Sequence, residues 1–362
     1  QGNASKRRRY HAGGADGRLP AHFLRYPESL MFARWLQRQW FEQRRLTPAL
    51  WLLLPLNWLY GLLSAQNRRL AKPVRLPVPV IVIGNLIVGG AGKTPLTLWL
   101  AQQLEARGWR PGIISRGYGR SGDGVISVRA DSPPEEVGDE PLLLARRSGV
   151  PVWVGRRRAA AGAALLAAHP EVNVVLCDDG LQHYALARDV ELVVFDARGA
   201  GNGWRLPVGP LREPLGRLAT VDAIIGNNLK SSLPAAAPRF DMTLQPGSFY
   251  RLDDPQQTCL AKSLRGRGGL HALAGIGDPE RFFRTLEGLG LAFTRHPFPD
   301  HHAYSAADLA FAGDDVLLMT EKDAVKCRGL TVGETWVLPV DAELPPALID
   351  LVLEKLRGRQ AA

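Results

Sequence analysis

From Val78 onward, short apolar, β-branched runs alternate with longer stretches of helical pattern. The runs at 79–83, 111–115, 151–154, 173–177, 191–195 and 221–225 predict strands, and 93–107 and 156–168 predict helices. That rhythm implies a mostly parallel sheet covered on both faces. A second block begins near residue 268, with strands expected near 270–274, 291–294, 316–320 and 335–339 and helices near 279–289 and 344–357. Between the blocks, 226–267 is rich in Pro, Gly and polar residues and reads as extended linking strands. No internal repeat is visible. The expected fold class is α/β, with two doubly wound α/β lobes, at 73–225 and, smaller, at 268–362, and a cleft between them.

Upstream the pattern changes. Residues 1–27 are rich in Gly, Ala and Arg without periodicity and read as a basic, disordered tail. From Glu28 a helix is expected, with Arg34, Arg38 and Arg45 on one face and Met31, Phe32, Trp35, Leu36 and Trp40 on a neighbouring arc. Leu46 to Asn67 is a run of 22 residues without a charge, between Arg44–Arg45 and Arg68–Arg69. A span needs about 20 apolar residues, so length alone permits one. Pro48, Pro55 and Asn57 interrupt it, and ten basic residues precede it, against the positive-inside tendency. Trp51, Trp58 and Tyr60 favour an interface. The arm at 28–72 is therefore expected to lie in the plane of a membrane, its arginines on anionic headgroups. The bland alternative is a helical hairpin packed on the protein's own body. The apolar run comes too late, and is followed by Arg, for a cleavable signal.

Composition sharpens this. The 362 residues are 46% hydrophobic and 22% charged, enough for one large or two modest domains and too apolar for a mainly disordered chain. Cys177, Cys259 and Cys327 are odd in number and widely spaced, which excludes a disulfide framework and a cysteine-only zinc site and suits a reducing compartment. The net charge of +10 lies entirely in residues 1–72, which hold 13 basic and 3 acidic residues; the remainder balances at 32 of each. A neutral body argues against nucleic acid as partner.

Two segments carry the strongest chemical signal. Gly84-Asn85-Leu86-Ile87-Val88-Gly89-Gly90-Ala91-Gly92-Lys93-Thr94 follows an apolar strand and opens a helix, the context a phosphate loop requires. Backbone N–H groups of Ile87, Val88, Gly89, Gly90, Ala91 and Gly92 would cradle phosphates, Lys93 would supply charge, and Thr94 a hydroxyl for Mg²⁺. The usual glycine at position 87 is Ile here; an incidental Gly-rich turn is the weaker reading. Val174-Val175-Leu176-Cys177 then delivers Asp178 and Asp179 to a strand end, where ligands of doubly wound sheets bind. Asp178 is the natural Mg²⁺ partner beside Thr94; the alternative is a plain Asp-Gly turn.

Weaker signals stand beside these. Ser115-Arg116-Gly117-Tyr118-Gly119-Arg120 is an anion site or a surface loop. Asp139 in Gly138-Asp139-Glu140-Pro141 reads, on sequence alone, as a helix cap. Asp300-His301-His302 with Tyr304 holds metal ligands, a base or a plain loop, and adjacent histidines argue against zinc. Arg212-Glu213 at a rigid turn is a recognition pair or a surface salt bridge.

Taken in order, these motifs, with Gln182-His183, Leu206-Pro207, Gly209-Pro210-Leu211-Arg212-Glu213-Pro214 and Thr320-Glu321-Lys322-Asp323-Ala324-Val325-Lys326, resemble the tetraacyldisaccharide 4′-kinase family, from about residue 28 to 355. The basic start, 1–27, is not part of that pattern. The resemblance implies phosphoryl transfer from ATP, with Mg²⁺, to the 4′-hydroxyl of an acylated glucosamine disaccharide 1-phosphate. It implies a monotopic enzyme at the cytoplasmic face of a Gram-negative inner membrane, in contact with anionic lipids. It implies Asp139 as catalytic base and His301 as its partner, with His302 the competing assignment. Asp178, Asp179 and Glu213 match acids around Mg²⁺ or the substrate; Arg116, Tyr118, Arg120, Gln182, His183 and Arg212 are weaker substrate candidates.

Two other functions compete. A membrane-recruited P-loop ATPase switch would use water as nucleophile, usually carries a second Lys where Val88 stands, and needs no base. A non-enzymatic basic binder fits poorly with a nearly complete phosphate loop.

Overall fold

The computed structural model describes residues 28–43, 45–234, 236–330 and 333–360, with side chains from Trp35 to Arg359; the expected tail at 1–27 lies outside them. Helix α1 (Glu28–Phe41) leads into α2 (Pro48–Trp51) and α3 (Leu54–Leu70). Pro48 and Pro55 each sit at the start of a helix, where proline's missing N–H costs nothing, so the two prolines start helices rather than break one. No helix among the described residues is long and apolar enough to cross a membrane.

The first lobe contains β1 (Val80–Gly84), α4 (Lys93–Glu105), β2 (Pro111–Ser115), β3 (Ile126–Val128), α5 (Pro134–Val137), α6 (Asp139–Ser148), β4 (Val152–Val154), α7 (Arg158–Ala168), β5 (Val174–Cys177), β6 (Val190–Asp196), β7 (Ala223–Asn227) and β8 (Arg239–Pro246). The second contains β9 (Phe249–Arg251), β10 (Thr258–Cys259), β11 (Leu270–Ala274), α8 (Pro279–Gly288), β12 (Thr294–Pro297), α9 (Ala306–Leu309), β13 (Val316–Thr320), α10 (Glu321–Cys327) and β14 (Thr335–Leu338). Then β15 (Val340–Glu343) and α11 (Pro346–Gln360) return to the first lobe.

The large sheet runs β15-β8-β7-β6-β1-β5-β2-β4-β3, parallel except for β3 and β15 at its edges. The small sheet runs β10-β9-β14-β13-β11-β12, parallel from β14 to β12. In β1 every residue is buried, because its alternating side chains serve two covered faces. Ile81 and Ile83 join Leu96, Leu100 and Leu104 of α4 and Leu348, Val352 and Leu356 of α11; Val80 and Val82 join Ala161 and Leu165 of α7. Phe249, Phe283 and Leu318 centre the second lobe's own core.

Segment 226–267, expected as a linker, is divided between the lobes: β8 pairs parallel with β7, and β9 antiparallel with β14. The chain crosses between lobes at 247–248 and again at Pro339, and the two crossings lie side by side, Gly247 N donating to Pro339 O at 3.0 Å. The C-terminal helix, expected with the second lobe, covers the large sheet, since its apolar stripe of Leu348, Val352 and Leu356 needs a face that α4 alone leaves open.

Candidate active site

In the large sheet, β1 lies between β5 and β6, and the chain diverges to opposite sides from there. The loop 84–92 leaves the C-terminal end of β1 at this switch point. Gly89 (φ 96°) and Gly92 (φ 101°) adopt the left-handed backbone that turns N–H groups inward. A Cβ on Gly92 would meet Asn227 Nδ2 at 2.8 Å, so glycine is required there for space as well. Asn227 Nδ2 donates to Ala91 O at 3.1 Å, Val88 N donates to Pro210 O at 3.0 Å, and Ile87 and Ala91 are fully buried. Ile87 thus anchors the loop on the core; the flexibility lies at Gly89–Gly90, and Gly90 is exposed.

Lys93, the first residue of α4, is almost buried, 3.4 Å from Asn85 Oδ1 and 3.5 Å from Asp179 Oδ1. Thr94 beside it is half-buried. Asp178 is fully buried at the end of β5; its Oδ1 accepts from Thr97 Oγ1 at 3.1 Å, while Oδ2 has no hydrogen-bond partner. Burial, and next the Glu140 carboxylate, push its pKa up to about 7. Asp179 has a positive φ of 49°, uncommon for a residue with a side chain. Burial acts against its charge, but Lys93, Arg212 and Arg158 outweigh that and hold it below the usual carboxylate range.

Asp139 is the first residue of α6, one position past the cap, which Gly138 holds. Its Oδ2 lies 3.3 Å from His301 Nδ1 and 3.8 Å from Lys326 Nζ. His301 follows β12 with φ 59°, the left-handed region, and its ring centroid is 5.1 Å from that of Tyr118. His302 points elsewhere, 3.4 Å from Asp308 and against Phe298 and Tyr304. Asp139 and His301 thus meet although 162 positions separate them. The second lobe also reaches the glycine loop: a Cβ on Gly277 would lie 3.7 Å from Gly90 N and 3.5 Å from Asp300 Oδ2. The C-terminal edges of the two parallel sheets therefore face each other across one cleft.

The other expected residues are placed less uniformly. Arg212 donates to Asp179 Oδ1 (3.3 Å) and Gln182 Oε1 (3.4 Å), beside Lys93. Gln182 donates to Asn85 O (3.2 Å) and Glu213 Oε1 (3.0 Å). Glu213 is buried; its second oxygen accepts from Tyr184 OH, and Arg217 Nε lies 3.8 Å away. Those contacts brace the turn, and among the described residues no three His, Cys, Asp or Glu side chains form a metal cluster that includes it. His183 Nε2 accepts from Arg158 N at 3.3 Å; burial, with Arg158, Arg188 and Arg116 nearby, pushes it down to about 4, so it is neutral. Arg116 is exposed, Tyr118 is 64% exposed, and Arg120 turns back onto Gly124 O.

Residues without an expected role complete the site. Lys322 Nζ contacts Asp300 Oδ1, Glu140 Oε1 and His301 Nε2. Lys326 packs on the Tyr304 ring at 4.9 Å, and Asp323, fully buried, accepts from Tyr304 OH, Thr320 Oγ1 and Gly275 N. The signal for them was a Thr-x-x-Asp cap at the end of an apolar strand, with two lysines one turn apart. The arm docks beside this cleft. Asn57 Nδ2 donates to Arg205 O (2.5 Å), Tyr60 OH to Arg212 O (3.1 Å), and Trp40 Nε1 to Pro207 O (3.0 Å). Its opposite face exposes Trp51, Leu52, Leu56, Trp58, Leu59, Leu62 and Leu63.

Comparison with known proteins bears on this arrangement. Residues 49–357 match the family described as tetraacyldisaccharide-1-P 4′-kinase, LpxK. The tetraacyldisaccharide 4′-kinase of Dechloromonas aromatica (strain RCB) is 77% identical over 333 residues, 92% of this chain and 100% of that protein. That of Azoarcus sp. (strain BH72) is 52% identical over 323 residues, covering 87% and 94%. The crystal structure of the "apo" form of LpxK from Aquifex aeolicus in complex with ATP superposes with a TM-score of 0.74 at 30% identity, over 85% of this chain and 99% of that one. With the family matched across both lobes and the expected α/β architecture in place, the chain belongs to the tetraacyldisaccharide 4′-kinase family of lipid kinases.

Proposed function

We propose that the cleft transfers the γ-phosphoryl group of ATP to the 4′-hydroxyl of a tetraacyldisaccharide 1-phosphate, a step of lipid A synthesis. The observation that carries this reading is the meeting of Asp139 and His301, one from each lobe, where Gly277 and Asp300 approach the glycine loop. Loop N–H groups from Ile87 to Gly92 bind the phosphates, and Lys93 leaves Asp179 to neutralise charge on the group in transit. Asp139 accepts the hydroxyl proton as oxygen bonds to phosphorus. The bond from phosphorus to the bridging oxygen breaks, and its electron pair leaves with ADP. Thr94 and Asp178 are the residues that would hold Mg²⁺; the unpartnered Asp178 Oδ2 fits a cation in that place. There they would let Mg²⁺ supply neutralisation of phosphate charge. Arg212, Gln182 and Tyr118 line the approach for an anionic sugar.

The exposed apolar face of α2 and α3, with Arg45, Arg68 and Arg69, suits a bilayer surface carrying anionic headgroups. The opposite face docks on the loop that presents Arg212, so the acyl substrate and the site share one side of the molecule. On this reading the enzyme is peripheral or monotopic at the cytoplasmic face of the inner membrane. The ATPase-switch alternative has no use for Asp139 with His301.

The test measures ADP release with and without tetraacyldisaccharide 1-phosphate in mixed micelles. Release that depends on the lipid is expected, with Lys93→Ala losing roughly 10²–10³-fold, the scale for removing one charge-stabilising donor. ATP hydrolysis at the same rate without lipid would replace the kinase reading by the switch.

A further inference from the structure

We propose that Lys322 is a positioning residue that locks His301 in the Nδ1–H tautomer, so that His301 orients Asp139 but never relays its proton. The inference rests on the kinase reading above and extends it to the division of labour within the pair.

The argument is a count of donors. Lys322 is the second residue of α10, directly after β13. Its Nζ lies 3.0 Å from Asp300 Oδ1, 3.4 Å from Glu140 Oε1 and 3.4 Å from His301 Nε2. An ammonium has three N–H donors and no acceptor. Three neighbours therefore take three protons, and His301 Nε2 must be the accepting nitrogen. In neutral imidazole the proton then sits on Nδ1, which faces Asp139 Oδ2 at 3.3 Å. Nδ1–H donates to the carboxylate, which stays free to accept a proton from substrate.

Surrounding charge reinforces this assignment. Burial works against the Lys322 charge, but Glu140, Asp300 and Asp139 outweigh it and raise its pKa. A second proton on His301 would point an N–H at an ammonium, donor against donor. The other groups facing the pair are Tyr118 across the His301 ring, Asp300 Oδ2 at 3.9 Å from Nε2, and Lys326 at 3.8 Å from Asp139. Lys326 Nζ is buried and lacks a hydrogen bond, so its charge is spent on Asp139 and Asp323 through space. Both lysines and His301 come from the second lobe, and Asp139 and Glu140 from the first, so the second lobe carries the contact that sets the tautomer and the first supplies the carboxylate that Nδ1–H meets.

Three consequences can be measured. In ¹⁵N-histidine spectra of the full chain, His301, assigned by loss of its signals in His301→Gln, should show a protonated Nδ1 and a bare Nε2 at neutral pH. Lys322→Met removes the donors while keeping much of the bulk. It should lower kcat about tenfold with KM for ATP within about twofold, and move the acidic limb of the kcat–pH profile up by about one unit, because His301 can then protonate and weaken the base. Lys322→Arg keeps charge and donors and should restore the limb toward wild type. An Nε2–H tautomer in the wild type, or a Lys322→Met profile lowered evenly at every pH, would overturn the proposal. The kinase reading fails separately, if ADP release proceeds at the same rate without the lipid acceptor.

Discussion

The two walls of the cleft are built differently. On the first-lobe wall, Asp178 is fully buried, the Lys93 side chain is 10% exposed, and both are held by strand ends and a helix start inside a nine-stranded sheet. On the second-lobe wall, the His301 and Asp300 side chains are 30% and 36% exposed and stand on a loop after an edge strand. The first-lobe wall thus holds Asp178 and Lys93 largely out of water, which on the proposed function suits groups whose work is electrostatic. The second-lobe wall is wetter and joined to the first through two adjacent crossings, which on the proposed function suits a surface that admits a bulky lipid and then excludes water. Between them, Arg147 of α6 is a clasp, 2.5 Å from both Glu321 and Asp341.

If that contrast is right, damage to the two walls should read out differently. The largest effect is expected at the junction. Asp139→Asn and His301→Ala should each lower kcat, by about 10²–10⁴-fold for loss of the base itself, with ATP binding largely kept. The double variant should cost far less than the product of the singles, because the two act as one unit. Multiplicative losses in steady-state kinetics would separate them.

A smaller effect is expected deep in the first-lobe wall. Asp178 holds its proton up to about 7 in the folded protein, whereas an unfolded aspartate ionises near 4. The folded state binds that proton more tightly, so the contribution of Asp178 favours folding at low pH and is lost as pH rises from about 4 to about 7. Asp178→Asn, which cannot ionise, should raise Tm at pH 8 by several degrees and leave it almost unchanged at pH 4, while weakening the response to Mg²⁺. Equal Tm shifts at both pH values in calorimetry would deny the buried charge.

The smallest effect is expected on the arm, away from both walls. Replacing exposed Trp58 and Leu62 by Ser should reduce binding to anionic vesicles several-fold and raise KM for micellar lipid, with kcat and Tm near wild type. Added salt should weaken the wild-type binding without abolishing it, since screening reaches the arginines and leaves apolar burial intact. Vesicle binding unchanged by the substitutions would leave the exposed face without that role.

The sequence by itself determined most of what is local. Strand β1, its glycine loop and the helix opening at Lys93 are contiguous, and each obeys a short-range rule: apolar run, positive-φ glycines, helix start. The Asp178–Asp179 strand end and the second lobe's strands β11, β13 and β14 were legible for the same reason. Residues 291–294, expected as strand, overlap β12 (Thr294–Pro297) only at Thr294, a slip of three residues at an edge where polar residues blur the period. Tertiary structure decided whatever joins distant segments. No periodicity could place α11 on the large sheet, divide 226–267 between two sheets, or choose His301 over His302. Nor could it lift Asp139 out of a capping role, because a carboxylate at a helix start looks the same in sequence whether it faces its own N–H groups or a histidine 162 residues away. Side-chain direction at a loop is set by what packs against it, and here that is the opposite lobe.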